Sequence, residues 1–174
     1  MGRFALWWVP AEPAFSSYQT LINDLATKHN APHFAPHITG FSGDFTDRAA
    51  LLDHTAQALE GISPFPLSIT AVAHSDNFFQ TLTLRIVRAP ELRDVAASMG
   101  SFYPDSAYQL DPHLSLLYAE MDESCRARLC HETRPASDQL QIDRVWLMRP
   151  THPQLGWRDI GHLEKVGEFL LGDI

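Results

Sequence analysis

The chain is short of the residues on which several kinds of protein depend. Of its 174 residues only two are cysteines, Cys125 and Cys130, and only two are lysines. The cysteines lie in a segment predicted to be helical, at a spacing that does not place them on one face. A disulfide between them is therefore not expected. Two reduced thiols favour a cytoplasmic location.

Positive charge and long apolar runs are also scarce. The formal net charge of −8 disfavours a broad electrostatic grip on duplex nucleic acid, although local donors can still bind a small anion. The apolar run Phe4 to Val9 is too short to span a membrane. The chain has no glycine-rich phosphate loop and no paired acidic metal motif. We therefore expect neither a nucleotide triphosphatase loop nor a membrane partner, and no cofactor.

What remains has the composition of an ordinary folded protein. Hydrophobic residues make up 45% and charged residues 20%, and no linker divides the chain, so one domain over residues 1–174 is expected. Apolar periodicity predicts strands and helices that alternate in two similar halves, which favours an α+β fold. The predicted strands are 4–9, 37–41, 67–72, 78–87, 112–118, 139–148, 157–162 and 166–171; the predicted helices are 14–29, 46–59, 90–100 and 122–133.

Each half contains a short strand with the same polar pattern. One carries His37 and Thr39, the other His113 and Ser115, and each histidine follows a proline. Side chains two apart on a strand point to the same face, so an imidazole and a hydroxyl should lie side by side in both strands. One such strand alone would suggest a structural role, whereas two copies favour catalysis.

The paired pattern suits a particular chemistry. A histidine titrates near ~6.5, so neutral pH can supply one neutral ring to take a proton from water and one charged ring to donate a proton. Each transfer is typically worth ~10²–10⁴ in rate. Thr39 and Ser115 would hydrogen-bond the non-bridging oxygens of a phosphate. This set predicts metal-free opening of a phosphodiester, and a cyclic one in particular, without saying whether His37 or His113 is the base.

A metal site is the alternative use of these histidines. His29, His33 and His37 recur every four residues, as on a metal-binding helix face. Pro32 and Pro36 interrupt that helix, so no metal site is expected there.

The motifs resemble those of the two-histidine (2H) phosphoesterases, and within them the cyclic phosphodiesterase branch. The family signature of two His-x-Thr/Ser motifs is matched by His37-Ile38-Thr39 and His113-Leu114-Ser115. Further similar stretches are Leu6-Trp7-Trp8-Val9-Pro10, Phe34-Ala35-Pro36, Phe78-Phe79-Gln80 and Pro112 to Glu120, and the similarity is weakest after about Asp122.

The resemblance implies a bilobal, pseudo-symmetric α+β fold. Two antiparallel sheets would form a central cleft lined by both histidine strands, with the helices packed outside. The implied reaction opens nucleoside 2′,3′-cyclic phosphates to 2′-phosphates, or ADP-ribose 1″,2″-cyclic phosphate to the 1″-phosphate. One of His37 and His113 would activate water and the other would protonate the leaving oxygen, while Thr39 and Ser115 would hold the phosphate.

Four further residues are candidates for the substrate pocket. The resemblance places Tyr118 there, but five residues separate it from His113, so a regular strand would turn it to the opposite face. Trp7 could stack on the nucleobase or fill the core, and Phe79 poses the same choice. Gln80 could hydrogen-bond the ligand or brace the cleft.

Two competing functions stay open. An RNA-end enzyme of the same superfamily, joining or opening 2′-5′ linkages, should present a basic groove, which the composition disfavours. A nucleotide-binding module without catalysis would not need intact histidines and hydroxyls in both motifs. The expected partner is a small cyclic nucleotide bound by a monomer, with no duplex nucleic acid and no membrane.

Overall fold

The computed structural model describes residues 2–173 and folds them into an antiparallel sheet with four α-helices. The strands are β1 (Gly2–Pro10), β2 (Ile38–Phe45), β3 (Phe65–Ala73), β4 (Leu82–Ile86), β5 (His113–Leu117), β6 (Gln139–Pro150) and β7 (Leu163–Leu170). The helices are α1 (Ala14–His29), α2 (Arg48–Leu59), α3 (Pro90–Phe102) and α4 (Glu123–Glu132). The predicted α+β class is confirmed.

The strands are joined so that two predicted sheets become one. Their order is β1-β2-β5-β4-β3-β6-β7, and β1 also pairs with β6. The start of the long strand β6 pairs with β3, and its remainder pairs with β7 along the same edge. One half is thus β2-β1-β6-β7 and the other β5-β4-β3-β6, and both share β6. The two lobes therefore form one continuous set of hydrogen-bonded strands.

Two predicted strands were wrong in part. Residues 78–80 form a 3₁₀ turn, because the Asn77 side chain accepts a hydrogen bond from the Phe79 amide and starts a turn. The strand begins only at Leu82. Residues 157–162 form turns and a second 3₁₀ segment (Ile160–His162), and β7 starts one residue later. Polar, glycine-containing sequence in that loop offers no apolar alternation to pair with a neighbour.

The helices cover one face of the strands and leave the other open. Helix α1 packs on β5, α3 on β2, and α4 on β3 and β4. The main core between them includes Trp8, Tyr18 and Leu51, which are fully buried. A small second cluster of Ala5, Trp7, Val9 and Met148 lies on the opposite face of β1. Within residues 2–173 no helix has the length and apolar character needed to cross a membrane.

Candidate active site

A cavity of about 270 Å³ lies on the open face, between the two histidine strands. Every residue singled out from the sequence lines it: His37, Thr39, His113, Ser115, Tyr118, Trp7, Phe79 and Gln80. Trp8 lies behind the sheet in the core, so the two neighbouring tryptophans do face opposite sides. The cavity also has walls that the sequence did not indicate: Ser42, Tyr108, Gln109, Asp111 and Trp157.

The two motifs are neighbours in the sheet. Strands β2 and β5 run antiparallel and meet where Ile38 pairs with Leu114. Continued by one residue in each direction, that register sets His37 opposite Ser115 and Thr39 opposite His113. Each imidazole therefore lies beside the hydroxyl of the other motif as well as its own. The arrangement has approximate two-fold symmetry about the Ile38–Leu114 pair.

A β-bulge in β5 explains why Tyr118 enters the cavity. Between Ser115 and Leu117 strand β5 has one residue more than β4, so Leu116 breaks the alternation and both leucines face the core. Tyr118 is thereby returned to the face of Ser115. The parity argument from the sequence assumed a regular strand, and it was wrong for this reason.

The same bulge occurs in the first motif. Strand β2 has one extra residue, Gly40, between the partners of Leu6 and Trp7 on β1. A Cβ on Gly40 would lie 2.3 Å from Nε1 of Trp8, so only glycine fits there. The bulge turns Ser42 back to the cavity, five residues after His37. Ser42 is therefore the counterpart of Tyr118 in the first motif.

His37 is held as a neutral ring with one free nitrogen. Its Nδ1 donates a hydrogen bond of 2.7 Å to the carbonyl of Ala35, which leaves Nε2 as the acceptor. The Trp7 indole stacks on the imidazole at 3.5 Å between centroids and 11° between planes. The pKa of His37 is lowered to about 4, mainly by burial and in addition by the charge of His113, while the Ala35 hydrogen bond opposes the shift.

His113 has the same backbone bond but a different electrostatic setting. Its Nδ1 donates to the carbonyl of Asp111 at 2.7 Å, and the Asp111 carboxylate lies 3.7 Å from that nitrogen. Burial lowers the pKa of His113 below its usual value, while the Asp111 carbonyl and carboxylate oppose the shift. His37 has no carboxylate partner of this kind. The two rings are therefore alike in geometry and unlike in charge environment.

The Asp111 carboxylate is fixed by three hydrogen bonds from two donor atoms. Nη1 of Arg85 lies 3.1 Å from both carboxylate oxygens, and Nε2 of Gln80 donates at 3.1 Å. Partial burial alone would raise the pKa of Asp111, but the Arg85 hydrogen bonds and charge hold it below the usual value. Gln80 thus braces the cleft through Asp111. In the sequence, Asp111 was marked only by its position two residues before His113. The alternation of side chains along a strand does not by itself select a residue at that position as functional.

Thr39 and Ser115 take part in different hydrogen bonds. Oγ of Ser115 donates to the main-chain carbonyl of Phe79 at 2.6 Å. The carbonyl of Thr39 accepts a 2.7 Å bond from the hydroxyl of Tyr108, which fixes the backbone of the first motif. Thr39 and Ser115 both line the cavity, within reach of one small anion. The site can therefore offer two hydroxyls and two imidazoles to a single phosphate.

Tyr118 closes the inner end of the cavity. Its ring stacks on Phe34 at 3.8 Å and 11°, and its hydroxyl lies 3.5 Å from Nε2 of His37. Burial raises the pKa of Tyr118, so the phenol stays protonated. Phe34 belongs to the Phe34-Ala35-Pro36 stretch before the first motif, but it was not among the residues predicted for the pocket.

The face that lines the cavity contains little formal charge. No lysine or arginine lines the cavity among residues 2–173, and Asp111 is its charged residue apart from the histidines. Within the same described residues, no group of three or more His, Cys, Asp or Glu side chains is arranged to hold a metal ion. The polar side chains that converge here are mainly imidazoles, hydroxyls and the two phenols of Tyr108 and Tyr118.

Comparison with known proteins agrees with this geometry. Residues 1–167 match the family described as cyclic phosphodiesterase-like protein. The chain is 25% identical to the cyclic phosphodiesterase of Arabidopsis thaliana over 121 residues, which are 69% of this chain and 67% of that protein.

Solved structures share the fold. Escherichia coli LigT, complexed with 3′-AMP, has a TM-score of 0.61 at 11% identity, with 99% of each chain covered. Usb1 of Kluyveromyces marxianus has a TM-score of 0.53 at 13% identity, covering 84% of this chain and 93% of its own. The family match over nearly the whole length identifies the protein as a phosphoesterase: the chain belongs to the cyclic phosphodiesterase-like family of the 2H phosphoesterases.

Proposed function

We propose that the protein hydrolyses nucleoside 2′,3′-cyclic phosphates to 2′-phosphates, or ADP-ribose 1″,2″-cyclic phosphate to the 1″-phosphate, without a metal ion. The observation that carries the proposal is the convergence of His37 and His113 on one cavity. Each ring binds a backbone carbonyl through Nδ1, so each presents Nε2 to the substrate. Two proton-transfer atoms then flank one phosphorus.

The charge environment assigns the roles in this proposal. His37 is buried against Trp7 with no carboxylate near it, so it stays neutral and serves as the general base. His113 lies beside the Asp111 carboxylate, which stabilises a charged ring, so it serves as the general acid. The anionic phosphate favours protonation of the acid further once it is bound.

The proposed hydrolysis is a single displacement at phosphorus. A water oxygen attacks phosphorus in line with the 3′-oxygen as its proton passes to Nε2 of His37. The bond from phosphorus to the 3′-oxygen breaks, and the proton of His113 goes to that oxygen. The product retains phosphate on the 2′-oxygen, and the two histidines have exchanged protonation states. Exchange of protons with solvent restores them.

The hydroxyls bind the phosphate oxygens that gain charge. Thr39 lies opposite His113 and Ser115 opposite His37, so one donor serves each side of the phosphate. Ser115 gives up its bond to the Phe79 carbonyl when it donates to the ligand. The Tyr118 hydroxyl, 3.5 Å from Nε2 of His37, orients the attacking water beside the base.

The nucleotide class is supported by related structures as well as by the site. LigT has been crystallised with 3′-AMP, NADP⁺, ATP and phosphate. Among residues 2–173 no lysine or arginine lines the catalytic cavity to bind a long polyanion, which favours a small cyclic nucleotide over an RNA duplex. The proposal extends to a monomeric, cytoplasmic enzyme that uses residues 1–174 as one two-lobed unit; the two free thiols suit that location.

The decisive experiment is turnover of a panel of 2′,3′-cyclic nucleotides and ADP-ribose 1″,2″-cyclic phosphate, with phosphorus NMR to identify the product isomer. His37→Ala and His113→Ala should each lower kcat by about 10²–10⁴, because each removes one proton transfer. Full activity should persist in EDTA. Normal turnover by either folded variant, or a 3′-phosphate product, would refute the mechanism.

His131→Ala serves as the matched control. His131 is exposed on α4 and does not line the catalytic cavity, so loss of this imidazole should leave turnover of a cyclic mononucleotide within about twofold of the wild type. Circular dichroism confirms that all three variants are folded.

A further inference from the structure

A second and larger cavity of about 770 Å³ adjoins the catalytic one. The two share three lining residues, Ser42, Tyr108 and Trp157, so the outer cavity opens beside the site rather than on a separate surface. Small-ligand sites usually measure roughly 300–1,000 Å³. The catalytic cavity alone falls just below that range, whereas the two together can hold a ligand of dinucleotide size.

The outer cavity has an aromatic wall. The ring of His54 on α2 stacks on Phe102 at the end of α3, at 4.2 Å between centroids and 6° between planes. Nδ1 of His54 and the hydroxyl of Tyr103 lie 3.2 Å apart, which fixes the orientation of the stack. A rigid pair of flat rings is the kind of surface on which a nucleobase stacks.

The charges of the outer cavity select against a second phosphate. Asp44, Asp47 and Asp105 line it, against one cation, Arg3. The carboxylate of Asp47 accepts the amide of Ala49 at 2.8 Å and caps α2. The carboxylates repel phosphate oxygens and accept hydrogen bonds from ribose hydroxyls. The wall and the charges together therefore suit a neutral nucleoside.

We propose that the outer cavity binds a second nucleoside, joined through phosphate to the ribose whose cyclic phosphate lies between His37 and His113. This rests on the proposed function and specifies the size of its substrate. The linking phosphate passes Ser42, Tyr108 and Trp157, where the cavities meet. Two sources have this chemistry: ADP-ribose 1″,2″-cyclic phosphate, with its distal adenosine, and the 3′ end of an RNA that carries a cyclic phosphate.

The test compares substrates of two lengths in a variant that fills the outer cavity. Ala50 lines that cavity on α2, and Ala50→Trp places an indole inside it. The substrates are adenosine 2′,3′-cyclic phosphate, the dinucleotide ApA with a terminal 2′,3′-cyclic phosphate, and ADP-ribose 1″,2″-cyclic phosphate. Wild-type kcat/KM should be about tenfold higher for at least one of the two longer substrates than for adenosine 2′,3′-cyclic phosphate, and Ala50→Trp should abolish that advantage.

Ala49→Trp is the matched control, because Ala49 is exposed on the same helix and does not line the cavity. It should keep the wild-type preference. Loss of preference for ApA alone assigns the site to RNA ends, and loss for the ADP-ribose compound alone assigns it to that source. Equal kcat/KM for all lengths, unchanged by Ala50→Trp, would overturn the inference while leaving the proposed function intact.

The remaining outcomes are also decisive. If no cyclic phosphate is turned over by the wild type, the proposed function itself fails. If Ala50→Trp loses the mononucleotide activity through misfolding, Ala107→Trp takes its place. Ala107 is an exposed residue on the loop that forms the opposite wall, and its replacement leaves both helices untouched.

Discussion

At the scale of single residues, two chemically identical side chains are made different by their neighbours. Both histidines donate through Nδ1 to the carbonyl two residues earlier, Ala35 for His37 and Asp111 for His113. Only the second carbonyl belongs to a residue with a carboxylate. In the proposed mechanism, the division of roles between base and acid therefore depends on the identity of Asp111 rather than on the motif that the two strands share.

The wild-type pH profile should reflect both rings. The proposed mechanism requires neutral His37 and charged His113, so kcat/KM should rise with pH through the His37 pKa of about 4. It should fall as the pH passes the pKa of His113, which burial places below the ordinary 6.5. The optimum of kcat/KM is therefore expected below pH 6.5, measured on a cyclic mononucleotide. A plateau extending to pH 8 would contradict these roles.

Asp111→Asn tests the source of the asymmetry. The charged groups that face His113 are the Asp111 carboxylate and Arg85, and the substitution leaves Arg85 without its partner. Both changes lower the pKa of His113, so the alkaline limb should move to lower pH while the acid limb stays in place. At the optimum, kcat/KM should fall by about fivefold or less, the equivalent of about 1 kcal/mol for a half-exposed ion pair.

Asp94→Asn provides the control for that measurement. Asp94 also pairs with an arginine, Arg93, but on the exposed side of α3 and outside the cavity. Its pH profile should coincide with that of the wild type. An alkaline limb that moves equally in both variants would show a response to net charge and not to the contact with His113.

At the scale of elements, the two bulges determine which side chains enter the site. In both motif strands the residue after the hydroxyl is extra, so the side chain five after each histidine returns to the cavity. Gly40 permits the first bulge because its backbone lies against Trp8. The second bulge places two leucines toward the core without any glycine.

Gly40→Ala should therefore destabilise the fold. Its Cβ would lie within 3 Å of Trp8 and of Cδ2 of Leu6, all in a closely packed core. Overpacking of this kind costs about 1–3 kcal/mol, which urea denaturation should detect as a lower midpoint. Gly161→Ala, with no atom within 4 Å of its added Cβ, should leave the midpoint unchanged. Equal midpoints for the two variants would contradict the role assigned to Gly40.

The bulges also mark where the sequence stopped being informative. The alternation of side chains along a strand correctly predicted that each histidine lies beside the hydroxyl of its motif, because only one residue separates them. Over five residues the same rule failed for Tyr118, since Leu116 looks like any other strand residue. The Asp111 contacts with Gln80 and Arg85 join residues that are 31 and 26 apart, respectively, which no local pattern can indicate.

At the scale of the whole molecule, the loop between β6 and β7 connects the two halves across the cavity. Trp157 and Ile160 of this loop line the catalytic cavity from the side of β7. Arg158 reaches the other half: its guanidinium lies 4.5 Å from the centroid of Phe78 and 2.7 Å from the Glu120 carboxylate. The sequence predicted a strand over residues 157–162. The structure instead has a loop that crosses the cavity and is held by the contacts of Arg158.

Arg158→Ala should loosen this crossing without unfolding the protein. The Arg158–Glu120 pair is exposed at 62% and 73% of its side chains, so it contributes about 0–1 kcal/mol to the free energy of unfolding. Release of the loop should raise KM for a cyclic nucleotide several-fold with little change in kcat, because the proton-transfer groups lie on other elements. Steady-state kinetics and limited proteolysis within residues 151–162 would measure both effects.

Arg93→Ala is the control for Arg158→Ala. It distinguishes loss of the contact that holds the loop from the loss of any exposed ion pair. Its pair with Asp94 is similarly exposed but lies on one helix, so it joins no two parts of the fold. This variant should keep the wild-type KM and the wild-type rate of cleavage. If Arg158→Ala behaves the same way, the loop is held by the packing of Trp157 and Leu163 against the cluster around Trp7, and Arg158 is not required. A higher KM together with faster cleavage only in Arg158→Ala would show that the two halves are joined over the substrate by this residue.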